Sequence, residues 1–412
     1  LPWRWPTVLL LFALAALAVQ PTILFGTRGV FYEWGLQHVL VGLALIANAL
    51  TYGVRRTVNW PILALVAALA LNLAFGTHPD LTLGFMLLSL FILALPWSFT
   101  QVVMAPEARR AAALVIALAP LLSLAAAGPL QAAGLLQAHP FRLKGAAGDA
   151  AIFATLAFAA FAVALHEATR PGRSWPAWLA VVNLALVILS GTRMAILASL
   201  VFAAVYGLSS AEFRRWLRAH PLLAVAAGGA LSGVLLWYLP TLERRLTYHG
   251  HFRWSGRNVL WQRYFEDFLI SPAFGRGFGV GFIMTSDLPH NEYLHLLVIG
   301  GWVGFALCMA AIVLWLRQLL RDVATSDHAF LIATIPAVAV YWLTDNLLVY
   351  PTALALYAYI GLLTFGPDAK PDGSRGASAV RGGVSQLAWR KRMLYPKRAT
   401  SRTGRKHLIE RA

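Results

Sequence analysis

Residues 150–168 read AAIFATLAFAAFAVALHEA, a run whose first charged residue is Glu167. The run is almost free of charge over its length, so it reads as a membrane-spanning helix. About 20 such residues span the ~30 Å hydrocarbon core of a bilayer. Working outward from it, comparable stretches occupy approximately 7–25, 36–53, 60–76, 81–103, 111–130, 175–191, 193–210, 221–239, 291–316, 329–349 and 350–366. The spacing therefore predicts an all-α, polytopic integral membrane protein of about 12 transmembrane helices. The last two spans meet at Pro351 and can also be read as one kinked element, which makes eleven.

Composition points the same way. The 412 residues are 59% hydrophobic and 12% charged, against about 45–50% and about 25% in a soluble domain. The formal charge of +17 could suggest a nucleic-acid binder, but the apolar background argues for lipid instead, and no nucleic-acid partner is expected. With both termini on one side, that inner side collects 24 of the 34 Lys and Arg residues, and the outer side 10. The asymmetry is the positive-inside signature and favours an even number of crossings. The inner side carries +16 and the outer side +1. The single cysteine, Cys308, can form no disulfide within the chain. The first apolar run, which follows Arg4, reads as an uncleaved span because it continues through Pro21 to Phe25 without a convincing cleavage site. The tail 367–412 is basic and rich in Gly, Ser and Arg, which predicts a disordered tether to anionic lipid.

One connection is long. Residues 240–290, on the outer side, separate an N-terminal membrane region (1–239, about nine spans) from a C-terminal one (291–366, about three spans). Its aromatic density predicts a packed cap. Within it Ser255 can cap a helix through Leu269, with Leu260, Trp261, Tyr264, Phe265 and Phe268 on one face and Arg257 one turn before Trp261. Gly275-Arg276-Gly277-Phe278-Gly279-Val280-Gly281 lacks the ending of a P-loop and reads as a mobile loop. The connection closes on His290-Asn291, where Asn291 is placed to cap the next helix or orient the imidazole. Arg193 lies at the tight outer turn between two spans, and Asp345 near the outer end of another can pair with it or orient another site group. Arg142, Lys144, Arg263 and Arg276 add positive charge on the same side. Glu266-Asp267 and His166-Glu167 lack the spacing of joint metal ligands, so no metal is expected.

These motifs, in this order, resemble a known family. Ser190-Gly191-Thr192-Arg193 with Leu197, Ser255-Gly256-Arg257-Asn258-Val259-Leu260-Trp261, the glycine run after Pro272, and His290-Asn291-Glu292-Tyr293-Leu294 leading to Gly300-Gly301-Trp302-Val303-Gly304 are similar to the bacterial O-antigen ligase and polymerase superfamily. The likeness spans Ile188 to Gly304. Many relatives carry an acid just before the glycine pair, where this chain has Val298-Ile299.

The resemblance implies transfer of a preassembled glycan from an undecaprenyl diphosphate carrier to a sugar hydroxyl of lipid A-core, at the periplasmic face of the inner membrane, with both termini cytoplasmic and no cofactor. The implied site has His290 as base, Arg193 and Arg257 at the diphosphate with Arg276, Arg263 and Lys144 as weaker candidates, and Asn291 and Asp345 in support. A polymerase or protein-glycosylating relative shares the donor chemistry. A lipid-glycan transporter or flippase is the alternative of a different class; it would place ionisable groups near the bilayer midplane, whereas most candidates here sit at the outer mouth.

Overall fold

In the computed structural model the described residues are 5–19, 30–52, 60–78, 94–101, 106–134, 136, 143–147, 149–170, 177–222, 225, 228–229, 231–233, 236–237, 239–240, 247–248, 251–252, 257–277, 290–345, 347 and 350–364. Arg142, the Ser255-Gly256 cap, Phe278 to Gly281, most of the span expected at 81–103 and the tail 367–412 lie outside them. The described chain is helical, apart from a two-residue antiparallel hairpin that pairs Thr247 with Phe252 and Tyr248 with His251.

The helices are α1 (Trp5–Ala16), α2 (Val30–Tyr52), α3 (Trp60–Phe75), α4 (Pro106–Ala132), α5 (Ala150–Thr169), α6 (Trp178–Ser190), α7 (Arg193–Ser209), α8 (Ala211–Ala219), α9 (Arg257–Ile270), α10 (Glu292–Asp322), α11 (His328–Trp342) and α12 (Leu354–Leu363). Among the described residues, α4, α5 and α10 are each long and apolar enough to cross a membrane, and α7 with α8 makes a fourth if counted as one span across its 93° bend. The chain is therefore helical with membrane-spanning elements. Several other elements are shorter apolar helices of 10–17 residues.

The stretch 150–168 is the hub. Nearly all of α5 is buried, and α4, α6, α7 and α12 pack around it. Its alanines explain the arrangement: small side chains let neighbouring helix backbones approach closely where lipid supplies no hydrophobic drive between helices. Phe158 and Phe161 meet Phe202 of α7 edge-on, at 6.3 and 6.0 Å between ring centroids. Alongside the hub, α7 packs on α11 and α10 on α3.

The end of the bundle at which α5 finishes is closed by a buried polar clasp. Asp327, between α10 and α11, receives hydrogen bonds from Arg170 Nε at 3.1 Å and from Arg170 Nη2. His166 Nε2 lies 3.3 Å from the same carboxylate. Glu167 accepts from Arg170 and, at 2.6 Å, from the Tyr359 hydroxyl of α12, while Tyr206 of α7 bonds His166 and Thr169. Burial alone would raise the Asp327 carboxyl; the His166 hydrogen bond and the Arg170 charge outweigh it and hold the group below the ordinary carboxylate range. Its stabilising share is therefore present at neutral pH and is lost as pH falls through that depressed value. Four elements distant in sequence are tied at one level.

The glycine run differs from the expected mobile loop in its described part. Gly301 has φ 61 and ψ −170, which interrupts α10, and the segment Pro272 to Gly277 fits into the gap. Arg276 N donates to Val298 O at 2.9 Å, Gly277 N to Ile299 O at 3.2 Å, Trp302 N to Pro272 O at 2.8 Å and Val303 N to Ala273 O at 3.0 Å. Asn72 of α3 adds bonds from its side-chain amide to Ile299 O at 2.8 Å and to Phe274 O. The helix ladder is thus replaced bond for bond, as an apolar surround requires. A Cβ on Gly275 would lie 2.5 Å from Ile299 O, so glycine serves close backbone approach here.

Candidate functional site

The N-terminal end of α5 organises the site. Asp149 caps that end, its Oδ1 accepting from Ala151 N at 2.6 Å. On one flank is the turn between α6 and α7. Gly191 adopts the left-handed conformation, φ 64, that ends α6. Ser190 Oγ donates to Val187 O at 2.6 Å and accepts from Thr192 N at 3.2 Å, and Thr192 Oγ1 donates to Ala150 O at 3.2 Å. Each residue of the Ser-Gly-Thr-Arg motif thereby has a geometric duty, and the outcome is that Arg193 begins α7 half-buried beside the α5 terminus. Leu143 N donates to Leu189 O at 3.2 Å, which brings the adjoining Lys144 to the same flank.

On the other flank α11 ends and α12 begins. Thr352 Oγ1 donates to Ile152 O at 3.0 Å, and the Tyr341 hydroxyl meets Thr155 Oγ1 at 2.9 Å. The first turn of α10 docks here: the Tyr293 hydroxyl donates to Ala339 O at 3.1 Å and its ring meets Trp342 edge-on at 5.8 Å. That docking sets His290 beside Asp345. Nδ1 of His290 lies 3.3 Å from Asp345 Oδ1, with 40% of the histidine side chain exposed and 2% of the aspartate. The Tyr350 hydroxyl donates to the same Oδ1.

His290 has φ 48, the one positive φ at a non-glycine position among the described residues. Such a conformation costs about 1–3 kcal/mol and persists where the surroundings over-determine it. Asn291 supplies one constraint, since its Oδ1 accepts from Leu294 N at 3.0 Å and caps α10. Its role is the capping one of the two that its position allowed. Asp345 supplies the other constraint and faces His290 in this way.

Arg257 opens α9 and its Nη1 donates to Thr344 O at 2.8 Å, one residue from Asp345. The helix lies on α10 through Tyr264 and Phe268, which pack on Val298, Leu294 and Leu297. Phe265 is exposed rather than inward. Arg257 and His290 thus bond to neighbouring residues, Thr344 and Asp345, while Arg193 and Lys144 lie on the flank formed by the turn between α6 and α7. Arg276 does not join them: it pairs with Asp267, and its Nη2 lies 3.2 Å from His78 Nε2. Asp267 is about 15 Å along α9 from Arg257, at 1.5 Å per residue. Arg263 is exposed, on a different face of α9 from Arg257.

An apolar cavity of about 240 Å³ lies between α3, α10, α11 and α12, with Tyr293 of the first turn of α10, Leu296, Cys308, Trp315, Leu331 and Trp342 among its walls. Sequence reasoning missed Tyr350, which stands five residues after Asp345 in the short connection between α11 and α12; that spacing from an acid was the available signal.

Residues 178–309 match the family model described as O-Antigen ligase. A search of curated proteins finds no match.

Proposed function

We propose, from the match of residues 178–309 to the family model described as O-Antigen ligase, that this protein is a glycosyltransferase-like enzyme of that superfamily and is the ligase. It takes a preassembled glycan from undecaprenyl diphosphate and transfers it to a sugar hydroxyl of lipid A-core, completing lipopolysaccharide at the periplasmic face of the inner membrane. The observation that carries this reading is the His290–Asp345 contact at 3.3 Å with Arg257 anchored on the adjoining residue.

The chemistry follows from those groups. Asp345 accepts from Nδ1 of His290, which leaves Nε2 as the ring's acceptor. Nε2 takes the proton of the acceptor hydroxyl while its oxygen bonds to the anomeric carbon. The bond from that carbon to the diphosphate oxygen breaks, its electron pair leaves with the diphosphate, and direct attack inverts the centre. Arg257 and Arg193 neutralise the departing charge in the manner of a planar guanidinium on phosphate, with no metal. Lys144, Arg263 and Arg276 rank lower, and Arg276 lowest because Asp267 holds it. The apolar cavity lined by Tyr293 of the first turn of α10 supports a lipid-borne substrate.

The wider layout belongs to the same reading: twelve crossings, both termini cytoplasmic, membrane regions at 1–239 and 291–366 around a periplasmic connection at 240–290, and the basic tail 367–412 on anionic lipid. The superfamily also supports a second reading, a polymerase whose acceptor is another carrier-linked glycan.

The test is to incubate purified protein, with chelator, with the carrier-linked glycan and with core lipid or a second carrier-linked glycan as acceptor. Product on the core lipid identifies the ligase, product on the second carrier identifies the polymerase, and neither product overturns both. In the same preparation Arg257→Ala is expected to weaken donor binding about 10- to 100-fold, the scale of a hydrogen bond to a charged group. Titration with the carrier-linked donor measures it, and unchanged affinity removes Arg257 from the diphosphate site.

A further inference from the structure

We infer that Tyr350 is a positioning residue for His290, holding the Asp345 carboxylate so that the imidazole carries its hydrogen on Nδ1 and presents Nε2 to the acceptor hydroxyl. This rests on the proposed glycosyl transfer with His290 as base. The geometry is a three-member chain on one oxygen: the Tyr350 hydroxyl and His290 Nδ1 both address Asp345 Oδ1. Two donors on one carboxylate oxygen fix its direction more tightly than one, because each removes a rotation that the other leaves open.

The placement supports a supporting rather than a reacting role. Tyr350 and Asp345 are buried, at 4% and 2% exposure, whereas the His290 side chain is 40% exposed. Tyr350 therefore touches the reaction only through Asp345. It is itself fixed, because Tyr350 O accepts from Ala353 N at 3.0 Å in the turn that starts α12, and Thr352 of that turn is bonded to the N-terminal end of α5. The chain from α5 through Tyr350 and Asp345 ends at the one non-glycine residue held at positive φ among those described. A ring in that conformation needs its direction set from outside its own backbone. The other ionisable groups whose fields reach Tyr350 are Asp149 at the α5 cap and Tyr341 of α11, and Arg257 of α9 stands beside Asp345 at Thr344.

The experiment compares pH profiles of kcat with carrier-linked glycan and acceptor, for wild type, Tyr350→Phe, His290→Ala and a protein carrying 3-fluorotyrosine at position 350. The acid limb reports protonation of the base in the substrate complex. Removing the hydroxyl returns negative charge to Oδ1, which favours the protonated ring, so Tyr350→Phe moves the acid limb to higher pH by about half a unit or more and lowers kcat about tenfold, with both KM values within about twofold. The fluorinated ring keeps the shape and donates more strongly, so it moves the limb to lower pH, and it serves if the Phe variant does not fold.

An acid limb that stays with wild type in whichever of the two variants folds overturns the positioning role, whatever happens to kcat. A wild-type protein without transfer, or His290→Ala with full turnover, instead overturns the functional reading. With wild type active and His290→Ala inactive, the limb alone decides on Tyr350.

Discussion

Replacing His290 by Ala is expected to lower glycan transfer about 10²- to 10⁴-fold, the usual worth of a positioned general base, while the protein stays folded and keeps its carrier-linked donor. The side chain is 40% exposed and its ring contact is with Asp345, so little packing is lost. The backbone gains nothing from the change, because alanine meets the same positive φ. Donor affinity is assigned to Arg257 and Arg193, which the substitution leaves in place. Turnover in a membrane assay, donor titration and the apparent melting temperature together check the prediction. Full turnover in His290→Ala with unchanged donor affinity would falsify the base assignment.

The second large effect is expected on stability. Gly301→Ala places a Cβ 2.4 Å from the carbonyl carbon and oxygen of Ala273 and 2.5 Å from Gly275 N, at a residue with φ 61. All three neighbours are backbone atoms, so no flexible side chain can yield. Left-handed strain and the overlap together cost about 3 kcal/mol or more, and an apparent melting temperature lower by about 5 °C or more is expected. Gly304→Ala is the control, since nothing lies within 4 Å of its added Cβ, and a change within about 0.5 kcal/mol is expected there. Equal melting temperatures for the two variants would show that the break in α10 tolerates a side chain.

What the sequence made legible follows from the range of each signal. The stretch 150–168 emerges as α5 at Ala150–Thr169, and the spans read at 175–191 and 193–210 as Trp178–Ser190 and Arg193–Ser209, because apolar runs and a Ser-Gly-Thr turn are local. Asn291 was legible as a cap for the same reason. The break at Gly301 was not: helical hydropathy continues through it, and its cause is a segment some 25 residues upstream whose amides replace the helix's own. Arg276 was legible only as a weaker candidate than Arg257, and Asp267 and His78 hold it at the other end of α9. Tyr350 carried a signal only in its spacing from Asp345, and its role depends on where α11 and α12 meet α5.

The interrupted ladder in α10 also bears on what fixes the direction of its first turns. A chain entering a bilayer with Glu292–Asp322 alone would close every backbone bond as a straight rod, because an unmet amide or carbonyl in hydrocarbon costs several kcal/mol. The bend at Gly301 exists only once Pro272 to Gly277 and Asn72 arrive with replacement donors and acceptors. The direction of the short arm that bears His290 therefore rests on bonds supplied by residues outside α10, from a strap earlier in the chain and from α3.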